Sequence, residues 1–237
     1  MKFYIDDSVF EKLPGAIFGI VVAEGIDNTS YPKGIKEFLA EEIAACEAFY
    51  EGKKVKEATE VLCYREAMRS LGFNPNKYMC SIEALLTRIS KKKGFPSINP
   101  AVDLGNAVSL KYKVPLGAHD IDSGRGDFAV RPASEGDIFR PFGATEGDFE
   151  NPDIGEIVYA SGNSVRTRRW TWRQAEDGKI TENVKNLFFP IDGFEDVNRE
   201  RIIAARDELA MRIEEFFNVK ARVGIIDSTN KSFELVP

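Results

Sequence analysis

The period of the apolar residues changes near the middle of this chain, and that change limits the folds open to it. Between residues 35 and 113 apolar positions recur every three or four residues; from Gly126 onward short alternating segments are separated by Gly, Pro and Asp. Ile35, Leu39, Ile43, Cys46 and Tyr50 mark an amphipathic helix closed by Gly52. A second helix is expected over 55–71, ending at Gly72, and a third is capped by Ser81 and carries Ile82, Leu85, Leu86 and Ile89. Asn99-Pro100 reads as an N-cap followed by proline in the first helical turn, opening a helix to about 113 that Pro115 stops. The continuous apolar run 16–23 predicts a buried strand. A β-hairpin is expected from Gly155 to Trp172 about the turn Ser161-Gly162-Asn163-Ser164, then a strand over 186–191. A helix over 195–217, striped by Ile202, Ala205, Leu209, Ile213 and Phe216, precedes a strand over 219–226. These elements do not alternate as βαβ, which excludes a doubly wound parallel sheet. The reading is one mixed α/β domain of the α+β type spanning residues 1–237.

Composition narrows the function. The chain has 237 residues, 32 Lys plus Arg against 38 Asp plus Glu, a net charge of −6 and a single histidine, His119. That balance excludes a globally basic nucleic-acid binder and leaves room only for a local basic site. One imidazole does not build a His-based metal site, so no metal or other cofactor is expected. The acids Asp6 and Asp7 argue against a targeting peptide, and no apolar run spans a bilayer. Cytoplasmic residence without a membrane partner is the expectation, with Cys46, Cys63 and Cys80 as reduced, buried small hydrophobes.

Charge is unevenly placed. Lys91-Lys92-Lys93 reads as a solvated helix C-terminus. Residues 166–173 hold Arg166, Arg168, Arg169 and Arg173, no acid, and both tryptophans, Trp170 and Trp172. In a strand, Arg169, Thr171 and Arg173 would face one side and Arg168, Trp170 and Trp172 the other. Arginine beside aromatic rings offers phosphate forks and stacking surfaces; the competing reading packs the tryptophans in the core and pairs the arginines with acids. Ser123-Gly124-Arg125-Gly126-Asp127 lacks the Lys and Ser/Thr of a phosphate loop and reads as a connecting turn. His119, with Asp120 and Asp122 nearby, has the makings of a general acid/base or of a structural hydrogen bonder.

The stretch 99–120 reads Asn-Pro-Ala-Val-Asp-Leu-Gly-Asn-Ala-Val-Ser-Leu-Lys-Tyr-Lys-Val-Pro-Leu-Gly-Ala-His-Asp. It resembles the signature of the B3/B4 domain of the bacterial phenylalanyl-tRNA synthetase β subunit, an editing module that hydrolyses tyrosine mischarged onto the phenylalanine tRNA. Val102, Asp103 and Asn106 match its Val-Asp-x-x-Asn helix, and Pro115, Leu116, Ala118 and Asp120 match its Pro-Leu-His-Ala-Phe-Asp turn. The flanks, Gly155-Glu156-Ile157-Val158 and Arg168-Arg169-Trp170-Thr171-Trp172-Arg173-Gln174, are similar to a free-standing branch of that family, and the likeness covers residues 60–195. The resemblance implies a sandwich-like fold of mostly antiparallel β layers flanked by helices. It also implies a pocket near Asn106, the one polar pocket residue of the family that carries over at its own position, and near the segment 170–174. Asp103, Asp120, Arg169, Trp170, Trp172, Arg173 and Gln174 join Asn106 as candidate substrate-binding residues. The family's editing histidine falls on Gly117, with His119 two positions on. Its editing glutamate falls near Pro190, with Asp192 the nearest acid.

Two readings follow. In the first, the domain binds tRNA or an aminoacyl-tRNA end and hydrolyses the aminoacyl ester, with Asn106 orienting the substrate and His119 or Asp192 as the catalytic, water-positioning groups. In the second, it is a non-catalytic binder of an amino acid or nucleotide.

Overall fold

The computed structural model describes residues 1–145 and 147–236. Two β-sheets face each other across an aromatic core, and helices cover the outer face of one of them. The first sheet has six strands in the order β10 (Ser232–Glu234), β1 (Lys2–Ile5), β4 (Phe128–Pro132), β5 (Ile157–Ser161), β6 (Ser164–Arg168) and β7 (Arg173–Gln174). The second has four, in the order β3 (His119–Asp120), β8 (Leu187–Phe194), β2 (Ala16–Ala23) and β9 (Ala221–Ile226). All pairings are antiparallel except β1 with β4. Phe3 and Tyr159 of the first sheet meet Phe18 and Phe188 of the second, with the Phe3 ring 5.2 Å from Phe188 and 5.8 Å from Tyr159.

The run 16–23 is a strand with every residue buried, because it is central in its sheet and covered on both faces. Its outer face receives α6 (Glu195–Phe217), which also packs on β8 and β9. Two glycines make that approach possible: a Cβ on Gly19 would stand 3.0 Å from Ile202 Cγ2, and one on Gly193 would stand 2.3 Å from Ile202 Cγ1. Helix α5 (Pro100–Tyr112) lies between α6 and α2 (Ile35–Tyr50). Asn99 caps α5 as expected, accepting from the Val102 N–H at 3.1 Å, with proline in the first turn.

Elsewhere the chain departs from the expected elements. The helix expected over 55–71 is a 3-10 turn, Val55–Glu57, followed by α3 (Thr59–Ser70). The cap of α4 (Ser81–Ser90) is Cys80 rather than Ser81. Short β1, α1 (Asp7–Lys12), β3, β4 and β10 carry too little periodicity to announce themselves. Helix α6 has the expected bounds but is broken at Asn198, whose φ of −146° is not helical. The Asn198 side chain repairs the break by accepting from the Phe194 N–H at 2.8 Å and donating to Tyr64 Oη at 2.8 Å. Among the described residues no helix is long and apolar enough to cross a membrane.

Candidate functional site

The strand expected through Trp172 stops at Arg168. Arg169 and Trp170 adopt left-handed backbone, with φ of 49° and 60°, a conformation that costs a side-chain-bearing residue roughly 1–2 kcal/mol. Buried Glu156 holds the turn in place. It accepts the Arg169 N–H at 3.0 Å and grips the Arg168 guanidinium at both oxygens, Nε to Oε1 at 3.0 Å and Nη2 to Oε2 at 2.8 Å. The Trp170 N–H donates to the Ile157 carbonyl at 2.7 Å, and the Thr171 carbonyl accepts from Ser81 N–H at 2.9 Å, which ties the turn to the start of α4.

The turn destroys the alternation a strand would have given. Trp170 points into the core, is 0% exposed, and donates from Nε1 to Asp192 Oδ1 at 2.6 Å. Trp172 turns outward and stacks edge-on against Tyr78, ring centres 4.9 Å apart. The Arg169 guanidinium lies over both rings, 4.1 Å from Tyr78 and 4.9 Å from Trp172, with Asp153 and Glu156 at 3.6 and 3.7 Å. Arg173 lies over Trp172 at 5.8 Å with Glu150 4.0 Å away. Arg166 runs inward to the Ser123 hydroxyl and carbonyl at 3.1 and 2.6 Å, and burial lowers its pKa. The charge cluster is therefore largely internal, with the Arg169 guanidinium held against two aromatic rings and two acids.

Beneath the turn lies a cavity of about 90 Å³, lined among others by Gly117, His119, Tyr159, Trp170, Thr171, Trp172 and Asp192. Asp192 is 3% exposed. Its Oδ1 accepts from Tyr159 Oη as well as from Trp170, both at 2.6 Å, and Oδ2 has no hydrogen-bond partner among the described residues. Burial pushes this carboxyl up to about 7, against the downward pull of its two donors. Thr171 Oγ1 is also buried with no hydrogen-bond partner. His119 is 4% exposed and stacks between Tyr159, at 5.5 Å, and Phe188, at 5.0 Å. Burial, reinforced by nearby Arg166, drives its pKa down to about 3, so the ring is neutral throughout the ordinary pH range.

A second, larger cleft of about 390 Å³ adjoins the first. Asn106, Val102, Ile98, Phe142, Lys179 and Ile180 line it, and Leu116, Gly117 and Gln174 are common to both walls. Gln174 Nε2 donates to the Ala118 carbonyl at 3.0 Å, and Gly117 N–H donates to Pro190 O at 2.9 Å, which sets the shared wall. Phe142 and Ile98 stand at the mouth, 62% and 54% exposed.

A family model described as the B3/4 domain matches residues 63–227, most of the chain. The chain belongs to the B3/4 domain family. The fold of this B3/4 domain is similar to that of an N-terminal fragment of the phenylalanyl-tRNA synthetase β subunit from Pyrococcus horikoshii, at a TM-score of 0.50 and 13% identity. That similarity covers 93% of this chain and 50% of the fragment, so the chain spans half the length of its structural relative. Comparison with curated protein sequences gives no significant match.

The B3/4 domain divides the expected site residues into three sets. His119, Asp192, Trp170, Trp172, Arg173 and Gln174 line the small cavity, and Asn106 with Gln174 lines the large cleft. Asp103, Asp120 and Arg169 line neither. Asp103 is wholly buried and spends its oxygens on Ser97 Oγ, on Tyr31 Oη at 3.1 Å and on Ile98 N–H at 2.9 Å, fastening the segment before α5. Asp120 accepts from Asp122 N–H at 3.0 Å in a local turn. His119, expected as a general acid/base or as a structural hydrogen bonder, is buried and stacked between two rings, and burial lowers its pKa. Thr171, Tyr159 and Phe142 were not singled out from the sequence. Thr171 sits between the two tryptophans, but only the left-handed turn brings it to the cavity.

Proposed function

We propose that this B3/4 domain binds the aminoacylated 3′ end of a tRNA across its two joined cavities and hydrolyses the ester between them. The observation that carries this reading is the meeting of a ligand-sized cleft and a small cavity on one shared wall, Leu116, Gly117 and Gln174, within the residues that the B3/4 family model matches. The 390 Å³ cleft is in the range that holds a drug-sized ligand, and its exposed Phe142 and Ile98 offer faces for a flat base. The Asn106 amide lines this cleft and is suited to polarise an ester carbonyl. A water oxygen then adds to the carbonyl carbon, the bond to the ribose oxygen breaks, and that oxygen leaves with a proton. Positioning and carbonyl polarisation supply the acceleration, with no side-chain nucleophile.

The expected partners, tRNA or an amino-acid ligand, belong to this reading. With a net charge of −6, tRNA binding would be weak and would fall as salt rises. Deacylation of a panel of mischarged tRNAs tests the catalytic half: a rate above buffer for at least one, lost in Asn106→Ala, supports it, and no rate for any overturns it.

A second reading, binding without catalysis, is favoured by one observation. Gly117 places no side chain at the junction of the cavities, and His119 beside it is neutral and stacked. Thermal shift with free amino acids and nucleosides, in the absence of any deacylation, would favour this reading.

A further inference from the structure

We infer that the 90 Å³ cavity is a subsite for a short, hydroxyl-bearing amino-acid side chain, of the serine or threonine class, and that it rejects aromatic side chains. The inference rests on the reading that an aminoacyl end occupies the joined cavities. It adds which amino acids fit.

Size comes first. An apolar protein cavity of about 150 Å³ binds benzene, and this one offers about 90 Å³. Its walls do not yield readily. Trp170 is pinned by its indole N–H on Asp192 at 2.6 Å and by its backbone N–H on Ile157 at 2.7 Å. Trp172 packs against Tyr78 and the Arg169 guanidinium, each 4.9 Å from its ring. A phenyl or phenol ring would have to displace one of these indoles. A hydroxymethyl or hydroxyethyl group would not.

Polarity comes second. Two buried side chains on the cavity wall hold polar atoms without a protein partner. One is Thr171 Oγ1, itself buried, in a residue 6% exposed; the other is Asp192 Oδ2, in a residue 3% exposed whose two hydrogen bonds both go to Oδ1. A ligand hydroxyl both donates and accepts, so it satisfies the carboxylate with its proton and the threonine with its oxygen. A methyl group of the same size satisfies neither and leaves both atoms without a protein or ligand partner. A site built around a hydroxyl discriminates against the analogue that lacks it.

Calorimetric titration of the full chain with amide-linked, non-hydrolysable 3′-aminoacylamino-adenosines tests this. The seryl and threonyl compounds should bind about tenfold or more tighter than the alanyl one, in line with a hydroxyl-binding site, and the phenylalanyl and tyrosyl compounds weaker than all three. Thr171→Val should narrow the gap between seryl and alanyl, and Thr171→Ser should keep the preference, which guards against a folding artefact. Tyrosyl or phenylalanyl binding as tight as seryl overturns the inference. So does a seryl-to-alanyl ratio unchanged in Thr171→Val. Alanyl binding with no gain for seryl sinks the side-chain inference alone; no binding by any compound sinks it together with the proposed function.

Discussion

Trp170 and Asp192 are joined by a 2.6 Å hydrogen bond from the indole Nε1 to Oδ1, which links the left-handed turn after β6 to the end of β8 in the opposite sheet. Tyr159 donates to the same oxygen at 2.6 Å, so one carboxylate atom receives a donor from each of two segments of the first sheet's side. The bond therefore spans the sandwich, and it also sets the wall of the small cavity. In Trp170→Phe the indole donor is lost while an aromatic ring remains. Loss of a bond to a charged acceptor and the gap left by the smaller ring should together cost about 2–4 kcal/mol. The Asp192 carboxyl should titrate higher than in the parent, since one of the two donors that lower it is gone. Urea denaturation reads the first effect and carbon NMR of the aspartate carboxyl reads the second; a titration midpoint at or below the parent's would contradict the assignment.

His119 and Asp192 should act on stability with opposite signs over much of the same pH range. Asp192 has its folded pKa raised from 3.8 to about 7, so the native state holds the extra proton and its stabilisation is full below about 4 and lost as pH rises through 7. His119 has its folded pKa lowered from 6.5 to about 3, so its contribution is full above 6.5 and lost as pH falls toward 3. Removing one partner exposes the other. Relative to the parent, Asp192→Asn should lose about 1.4 kcal/mol per pH unit as pH drops from 7 toward 4. His119→Phe, which keeps a ring between Tyr159 and Phe188, should gain by a similar slope from 6.5 toward 3. Denaturant midpoints across that range decide it, and parallel curves for parent and variants would refute it.

The sequence was most legible where one physical requirement acts locally. The run 16–23 had to be a strand buried on both faces, and Asn99-Pro100 had to open a helix, because burial and capping are written in consecutive residues. The segment 166–173 misled for the opposite reason. Nothing adjacent in sequence signals that Arg169 and Trp170 leave the strand; the cause is the Glu156 carboxylate, reached from the neighbouring strand's edge. Alternation then fails, Trp170 goes inward and Arg169 goes to Tyr78. His119 was legible as a candidate but not as a buried ring, since its stacking partners Tyr159 and Phe188 come from two different sheets. The parallel pairing of β1 with β4 is equally long-range.

The pair Arg65–Glu83 should matter to the site although it does not line it. Both side chains are buried, 5% and 1% exposed, and Arg65 also donates to Asn76 Oδ1 at 2.7 Å. The pair fastens α3 to the first turn of α4, whose Ser81 holds the Thr171 carbonyl. Removing one partner leaves a buried unpaired charge, so Arg65→Leu should cost about 3–5 kcal/mol. The double variant Arg65→Leu with Glu83→Leu should recover much of that loss. A double-mutant cycle by thermal and urea denaturation measures it, and additive losses would show that the two charges do not depend on each other.

Gly193 should be the least replaceable glycine of the second sheet. It lies on β8 opposite Ile17, under α6, and an added Cβ would come within 2.3 Å of Ile202 Cγ1, 2.6 Å of its Cδ1 and 2.8 Å of Asn198 Oδ1. The first two atoms belong to the stripe that seats α6, and the third belongs to the side chain that repairs the break in that helix. Gly193→Ala should therefore cost about 1–3 kcal/mol by overpacking, and it should also disturb the Asn198–Tyr64 bond. Ile202→Ala alone should cost about 2–5 kcal/mol through the space it leaves. Combined, the two changes should cost less than their sum, because the new methyl enters space that the isoleucine vacated. Chemical denaturation of the two singles and the double reads the coupling. If the losses simply add, α6 is not seated on β8 through this contact.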